Sequence, residues 1–162
     1  MTSQETAHRV ERDISRYLFT ITLINAGLGA VTALALHLLG LPNVVLWGVM
    51  VALLNFIPYL GAAINAIILS IVALLTFDSI GHAALVPATF LVLTTLEGQL
   101  VTPTILGKSL PLNPVVIFIG LIFWVWMWGI PGALLAVPIL AVIKIFCDAI
   151  PSLAAIGELL GR

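Results

Sequence analysis

Residues 93–114 read LTTLEGQLVTPTILGKSLPLNP, and this stretch decides what kind of fold can surround it. An acid, Glu97, and a base, Lys108, stand close together here in the middle of a strongly apolar sequence. Gly98, Pro103, Gly107, Pro111 and Pro114 punctuate the same stretch. Proline lacks an amide donor and glycine gives up backbone entropy, so these residues cannot all sit inside one regular helix. The expectation is a polar, irregular segment between hydrophobic blocks. In lipid such backbone survives only where protein buries it, where it lines a wet cavity or where it lies at the interface. A path for a solute is the first implication.

Composition sets the class. Of 162 residues, 62% are hydrophobic and 8% charged, with mean hydropathy +1.25. An ordinary soluble domain carries roughly 25% charged residues, so a soluble binding module is excluded. No Asp, Glu, Lys or Arg occurs between Tyr17 and Phe77, nor from Ser109 to Ile143. Both runs far exceed the ~18 apolar residues that flag a membrane span. The fold class expected is an all-α integral membrane protein, a multi-pass bundle with broken helices or helical hairpins. A formal net charge of −1 offers no basic footprint for nucleic acid. The single Cys147 excludes an intrachain disulfide and any multi-cysteine metal site, and reads as a small apolar helix residue. His8, His37 and His82 lie far apart in sequence, so no metal site and no cofactor are expected. There is no HExxH helix, no GxSxG turn and no aspartate pair at membrane depth, which argues against an enzyme.

Taken in order, residues 1–16 form a charged segment with Arg9, Arg12 and Arg16, residues 17–150 a transmembrane domain and residues 151–162 a short amphipathic tail. The positive-inside rule places the first segment in the cytoplasm. Tyr17 to Leu39 is long enough to cross the membrane, and Asn25, Gly29, Ala33 and His37 recur every four residues along it. Small residues admit a second backbone in lipid, so this strip packs inward, with His37 satisfied near the interface. Gly40, Pro42 and Asn43 stop that helix and cap the next.

The block Val44 to Phe77 is too long for one crossing and is interrupted by NFIPYLG at 55–61, where Pro58 and Gly61 break it. Two shorter helices meeting at a break are expected, and both a hairpin that enters and leaves on one side and a pair of full spans stay open. Asn55 and Asn65 flank the break, where they can satisfy freed backbone groups or coordinate a solute. Asp78 or Ser79 caps the following helix, Pro87 kinks it or stands near its end, and His82 is exposed at the interface. Asn113 and Pro114 read as a cap followed by a first-turn proline. The block Val115 to Ile150 breaks at GIPG, through Gly129, Pro131 and Gly132, and carries Pro138 further on. Trp124, Trp126 and Trp128 place this second break near a membrane surface. Two interrupted blocks flanking the Glu97 region are the pattern of secondary transporters.

Three motifs then carry a resemblance. They are LWGVMVALLNFIPYLGA at 46–62, LEGQLVTPTILGKSLPLNPVV at 96–116 and FWVWMWGIPGALLAVPILAVIKI at 123–145. In order and spacing they resemble the C-terminal half of the autoinducer-2 exporter family, the PerM-type permeases. The resemblance implies a multi-pass protein of a bacterial-type inner membrane that moves small polar molecules. Autoinducer-2 is implied as the cargo of some members, and sodium or lithium exchange against protons as the activity of others. It matches Asn55, Pro58, Tyr59 and Gly61, then Glu97, Gly98, Pro103, Gly107, Asn113 and Pro114, then Trp128, Gly129, Pro131, Gly132 and Pro138. Members of that family are about twice this length, so a truncated frame, a half-transporter and a fragment all stay open. The partners implied are the lipid bilayer, a small polar solute with Na+ or H+, further copies of the chain, and a missing N-terminal half.

The function expected is therefore a secondary transporter whose solute path uses Glu97, Asn55, Asn65, Lys108 and Asn113, with helix breaks at Pro58, Gly61, Gly98, Pro103, Gly107, Gly129, Pro131 and Gly132. A carboxylate inside a membrane costs ~2.5 to 3.5 kcal/mol on insertion scales, so Glu97 must be paired, wet or protonated. Two roles are open to it: a proton or cation site, or an anchor for the irregular segment through backbone amides or Lys108. The alternative class is a non-transporting scaffold or subunit, since the small residues at 26–33 and 61–66 equally suit a helix interface.

Overall fold

The computed structural model describes residues 3–106 and 112–161, and among them every regular element is helical. They are α1 Ser3–Leu38, α2 Val44–Leu54, α3 Leu60–Thr76, α4 Ile80–Leu96, a π-helical turn Glu97–Val101, α5 Thr102–Leu106, α6 Pro114–Trp128, α7 Ile130–Ala149, a 3-10 turn Pro151–Leu153 and α8 Ala154–Gly161. Among the described residues three helices are long and apolar enough to cross a membrane: Ser3–Leu38, Ile80–Ile105 and Ile130–Ala149. An all-α membrane protein is what composition required. Two compact units divide the chain, Thr22–Thr104 and Met1–Ile21 with Ile105–Arg162.

In the unit Thr22–Thr104, α2 and α3 meet at the break expected around Pro58. Asn55 ends α2, Tyr59 takes a positive φ of 59°, and the Gly61 N–H donates to the Ile57 carbonyl at 3.1 Å. Gly61 lies so close to the end of α2 that a Cβ there would collide with the Leu54 carbonyl. Both open ends of this pair lie beside the C-terminus of α1. The His82 Nε2–H donates to the Leu39 carbonyl at 2.8 Å, and the His82 ring sits 4.2 Å from that of Phe77. At Gly40, φ is +86°, and a Cβ there would stand 3.9 Å from the Phe77 ring. The chain therefore leaves this end along α2 and returns to it along α3. At about 16 Å and 25 Å in length, neither helix covers a ~30 Å hydrocarbon core. This is a hairpin that enters and leaves at one end.

Close backbone approach holds α1 against α2. A Cβ on Gly48 would meet the Gly29 carbonyl at 2.7 Å and the Ala33 Cβ at 2.8 Å. Of the inward strip expected on α1, Asn25 and Gly29 are buried and Ala33 partly so, while His37 is exposed. Leu28, Val51, Leu69, Val86 and Phe90 form one apolar cluster between the helices. Ser79 is the cap of α4, its hydroxyl accepting from the His82 N–H at 3.4 Å.

The second unit contains the other interrupted block. Gly129, at φ 69°, is the single residue between α6 and α7, and Pro131 fits the first turn of α7. Gly132 packs on the Trp124 carbonyl as Gly61 does on Leu54, and Gly120 faces the Leu140 side chain. Asn113 caps α6 through a 2.9 Å bond accepted from the Val115 N–H. The Asn113 backbone N–H donates to the Leu160 carbonyl at 2.8 Å, tying the start of α6 to the end of α8. Lys144 is buried and donates to Asp148 Oδ2 at 3.0 Å and to the Gly157 carbonyl at 3.2 Å, which fixes α8 on α7.

One expectation fails in form. The helix that begins at Ile80 does not break at Gly98 or Pro103. It runs on as a π-helical turn and then α5. Pro103 cannot donate, and in a regular helix its ring would press on the carbonyl four residues back; a widened turn immediately before it relieves that crowding. Gly107, Lys108 and Pro111 lie outside the described residues.

These glycines make a matched test. Gly61→Ala and Gly132→Ala should each lower the unfolding free energy in detergent by about 1–3 kcal/mol or more, because backbone rather than a flexible side chain must move. Gly27→Ala, with open space around it, should be neutral or raise stability by up to about 1 kcal/mol through helix propensity.

Candidate functional site

Polar side chains buried among these apolar helices mark the candidate site. In Thr22–Thr104, Asn25 and Asn65 are each 1% exposed and Thr32 is fully buried. The Asn55 Nδ2 donates to Asn25 Oδ1 at 2.7 Å, joining the tip of the hairpin to α1. Asn25 Nδ2, both polar atoms of the Asn65 amide and the Thr32 hydroxyl have no hydrogen-bond partner. Each such group costs roughly 1–3 kcal/mol when buried unmade.

The three asparagines share one level of the bundle. Leu28, Val51 and Leu69 belong to the same apolar cluster. One helical turn further from the open end, on the same faces, stand Asn25 on α1, Asn55 at the end of α2 and Asn65 on α3. Distance along the helices agrees: Asn25 lies about 20 Å inward from the end of α1, and Asn55 and Asn65 about 17 Å along α2 and α3. With the open end at the surface of a core ~30 Å thick, this level would fall near mid-depth. Gly61 permits the arrangement, because its missing side chain lets the first turn of α3 rest against the Leu54 carbonyl, beside Asn55.

Glu97 is half-buried at the start of the π-helical turn, where the Thr102 hydroxyl donates to its Oε1. The Thr102 backbone N–H closes the same turn on the Glu97 carbonyl. The carboxylate is thus held by its own helix, which continues about 26 Å from Ile80 to this point. Thr104 returns its hydroxyl to the Leu100 carbonyl.

Of the residues expected to line a path, Asn55 and Asn65 come together with Asn25. Glu97 belongs to the same unit two elements later, and Asn113 is a helix cap in the other unit. Lys108 falls outside the described residues. Asn25 and Thr102 are the members that sequence reasoning did not assign to the site. Asn25 did carry a signal, since it is a polar residue on the small-residue strip of a charge-free helix. Among the described residues no group of three or more His, Cys, Asp or Glu could hold a metal ion.

Such an architecture, with apolar helices of spanning length and a helical hairpin that carries polar groups at its tip, is that of a multi-pass membrane protein. The chain belongs to the AI-2E family of transporters, whose pattern it matches over residues 2–152. It is 34% identical over 154 residues to YhhT of Escherichia coli strain K12, whose name assigns it provisionally to transport; the match covers 95% of this chain and 44% of YhhT. It is 36% identical over 132 residues to the AI-2 transport protein TqsA of the same strain, covering 82% of this chain and 38% of TqsA. YrrI of Bacillus subtilis strain 168 is 32% identical over 136 residues, covering 84% and 38%. The chain spans less than half the length of these curated relatives.

The bond between hairpin and α1 can be measured. A double-mutant cycle of Asn25→Leu and Asn55→Leu, read by reversible unfolding in detergent, should give a coupling energy of about 0.6–1.7 kcal/mol, the range for interhelical hydrogen bonds in lipid. A coupling near zero would show that the two amides do not meet.

Proposed function

We propose that this chain supplies the solute-handling part of a secondary transporter in a bacterial-type inner membrane, exporting a small, uncharged, polar solute of the autoinducer-2 kind. The observation that carries the reading is the level of Asn25, Asn55 and Asn65, an amide cluster with unpartnered groups about midway through an apolar bundle. Asn25 Nδ2 and Asn65 Nδ2 offer donors and Asn65 Oδ1 an acceptor. Two donors beside one free acceptor suit the hydroxyl and carbonyl groups of a neutral solute. A hard cation taking six or more oxygens fits them poorly. The printed name of TqsA supports the same class of cargo.

A second reading, exchange of a cation for protons, is favoured by Glu97. Its carboxylate is half-buried and held by Thr102, which gives one titratable group on a helix of spanning length. The two readings combine if Glu97 couples the movement of solute to that of a proton. Further copies of the chain and a separate N-terminal half are the partners proposed for the working assembly.

In vesicles carrying the chain together with the N-terminal half of a full-length relative, Asn65→Leu should slow efflux of a neutral hydroxylated solute on the order of tenfold or more, with insertion intact. Glu97→Gln should leave downhill efflux standing and remove its response to an imposed pH gradient. Unaltered rates in both variants would refute the path and favour the scaffold.

A further inference from the structure

The first turns of α1 present two unlike faces. Val10 is buried and Ile14, Tyr17 and Ile21 are partly buried, at spacings that put all four on one side of the helix. Arg9, Arg12 and Arg16 follow i, i+3 and i+7, within about 60° of arc, and their centre lies roughly 140° from the apolar face. All three are exposed. Glu5 and Asp13 flank them at i−4 and i+4 of Arg9. Glu11, on the other side, stands 3.8 Å from His8.

Position matters as much as charge. Arg16 is the last charged residue before a helix that stays free of charge to Leu38. The stripe therefore ends where the hydrocarbon begins, at the depth of lipid headgroups. Guanidinium groups bind phosphate through paired N–H donors, and they spread over about 11 Å of helix, enough for more than one headgroup. From this we propose that Arg9, Arg12 and Arg16 form a docking surface for acidic phospholipid headgroups, turned outward because Val10, Ile14, Tyr17 and Ile21 pack the opposite face of α1 inside the protein. The surface sets the depth and rotation of α1 in the membrane, and α1 is the helix that carries Asn25.

Native mass spectrometry of the detergent-solubilised chain, titrated with phosphatidylglycerol and with phosphatidylcholine, tests this. The wild-type chain should retain phosphatidylglycerol in preference, on the order of a hundredfold if all three arginines engage. The preference should fall close to parity in the R9Q/R12Q/R16Q variant and persist in Glu11→Gln. It should weaken between low and high salt in the wild-type chain, which reads the same interaction without any substitution. Equal retention of the two lipids by the wild type, a preference untouched by the triple substitution, or one indifferent to salt would overturn the proposal. Displacement of the lipid by millimolar inorganic phosphate would also overturn it, by showing a site for a small free anion.

Discussion

A peptide group in hydrocarbon has no water to turn to. Every N–H and C=O that a helix break releases must find a partner within the protein, and this constraint shapes each unusual feature of the chain. At the first break the freed groups close on one another, Gly61 N–H on Ile57 and Leu60 N–H on Pro58. Gly61 and Gly132 let the returning helix lie against the last carbonyls of the outgoing one. At Gly129 a single residue in a conformation open to glycine reverses the chain. Near Glu97 the helix widens and stays hydrogen-bonded. The breaks are local reversals, and the membrane sees little exposed backbone.

Side-chain amides escape that rule, and this sets the asparagine level apart. The backbone of the hairpin tip is satisfied largely by itself, so Asn25, Asn55 and Asn65 are not fully consumed in repairing it. Asn55 spends its Nδ2 on Asn25, and the rest of the cluster retains donors and an acceptor in an apolar surrounding. A bundle that needed only stability would hold Leu at these positions. On the function proposed above, the cost of keeping amides there is the cost of recognising a polar solute.

Much of the fold was legible because its determinants are local. Pro58 with Gly61, and Gly129 with Pro131, announce two reversals. Ser79 and Asn113 announce two helix starts. Charge-free runs announce lipid. The continuation through Gly98 and Pro103 was hidden, since a π-helical turn answers crowding in three dimensions and leaves no propensity signal. The Asn25–Asn55 bond was hidden for another reason. Periodicity says which face of α1 points inward, but it does not say which residue, thirty positions later, will meet it. Glu97 was legible as a residue in need of a partner. That the partner would be Thr102, on the next turn, depended on the same widened helix.

The central claim is that α2 and α3 form a hairpin with both feet on one side of the membrane and its polar tip near mid-depth. Single cysteines at Asn43, Tyr59 and Asp78, in a chain whose buried Cys147 is replaced by alanine, can be labelled with a membrane-impermeant maleimide from each side in turn. Positions 43 and 78 should react from the same side, with position 59 slow from both. Reaction of 43 and 78 from opposite sides would contradict the hairpin, and with it the site at its tip.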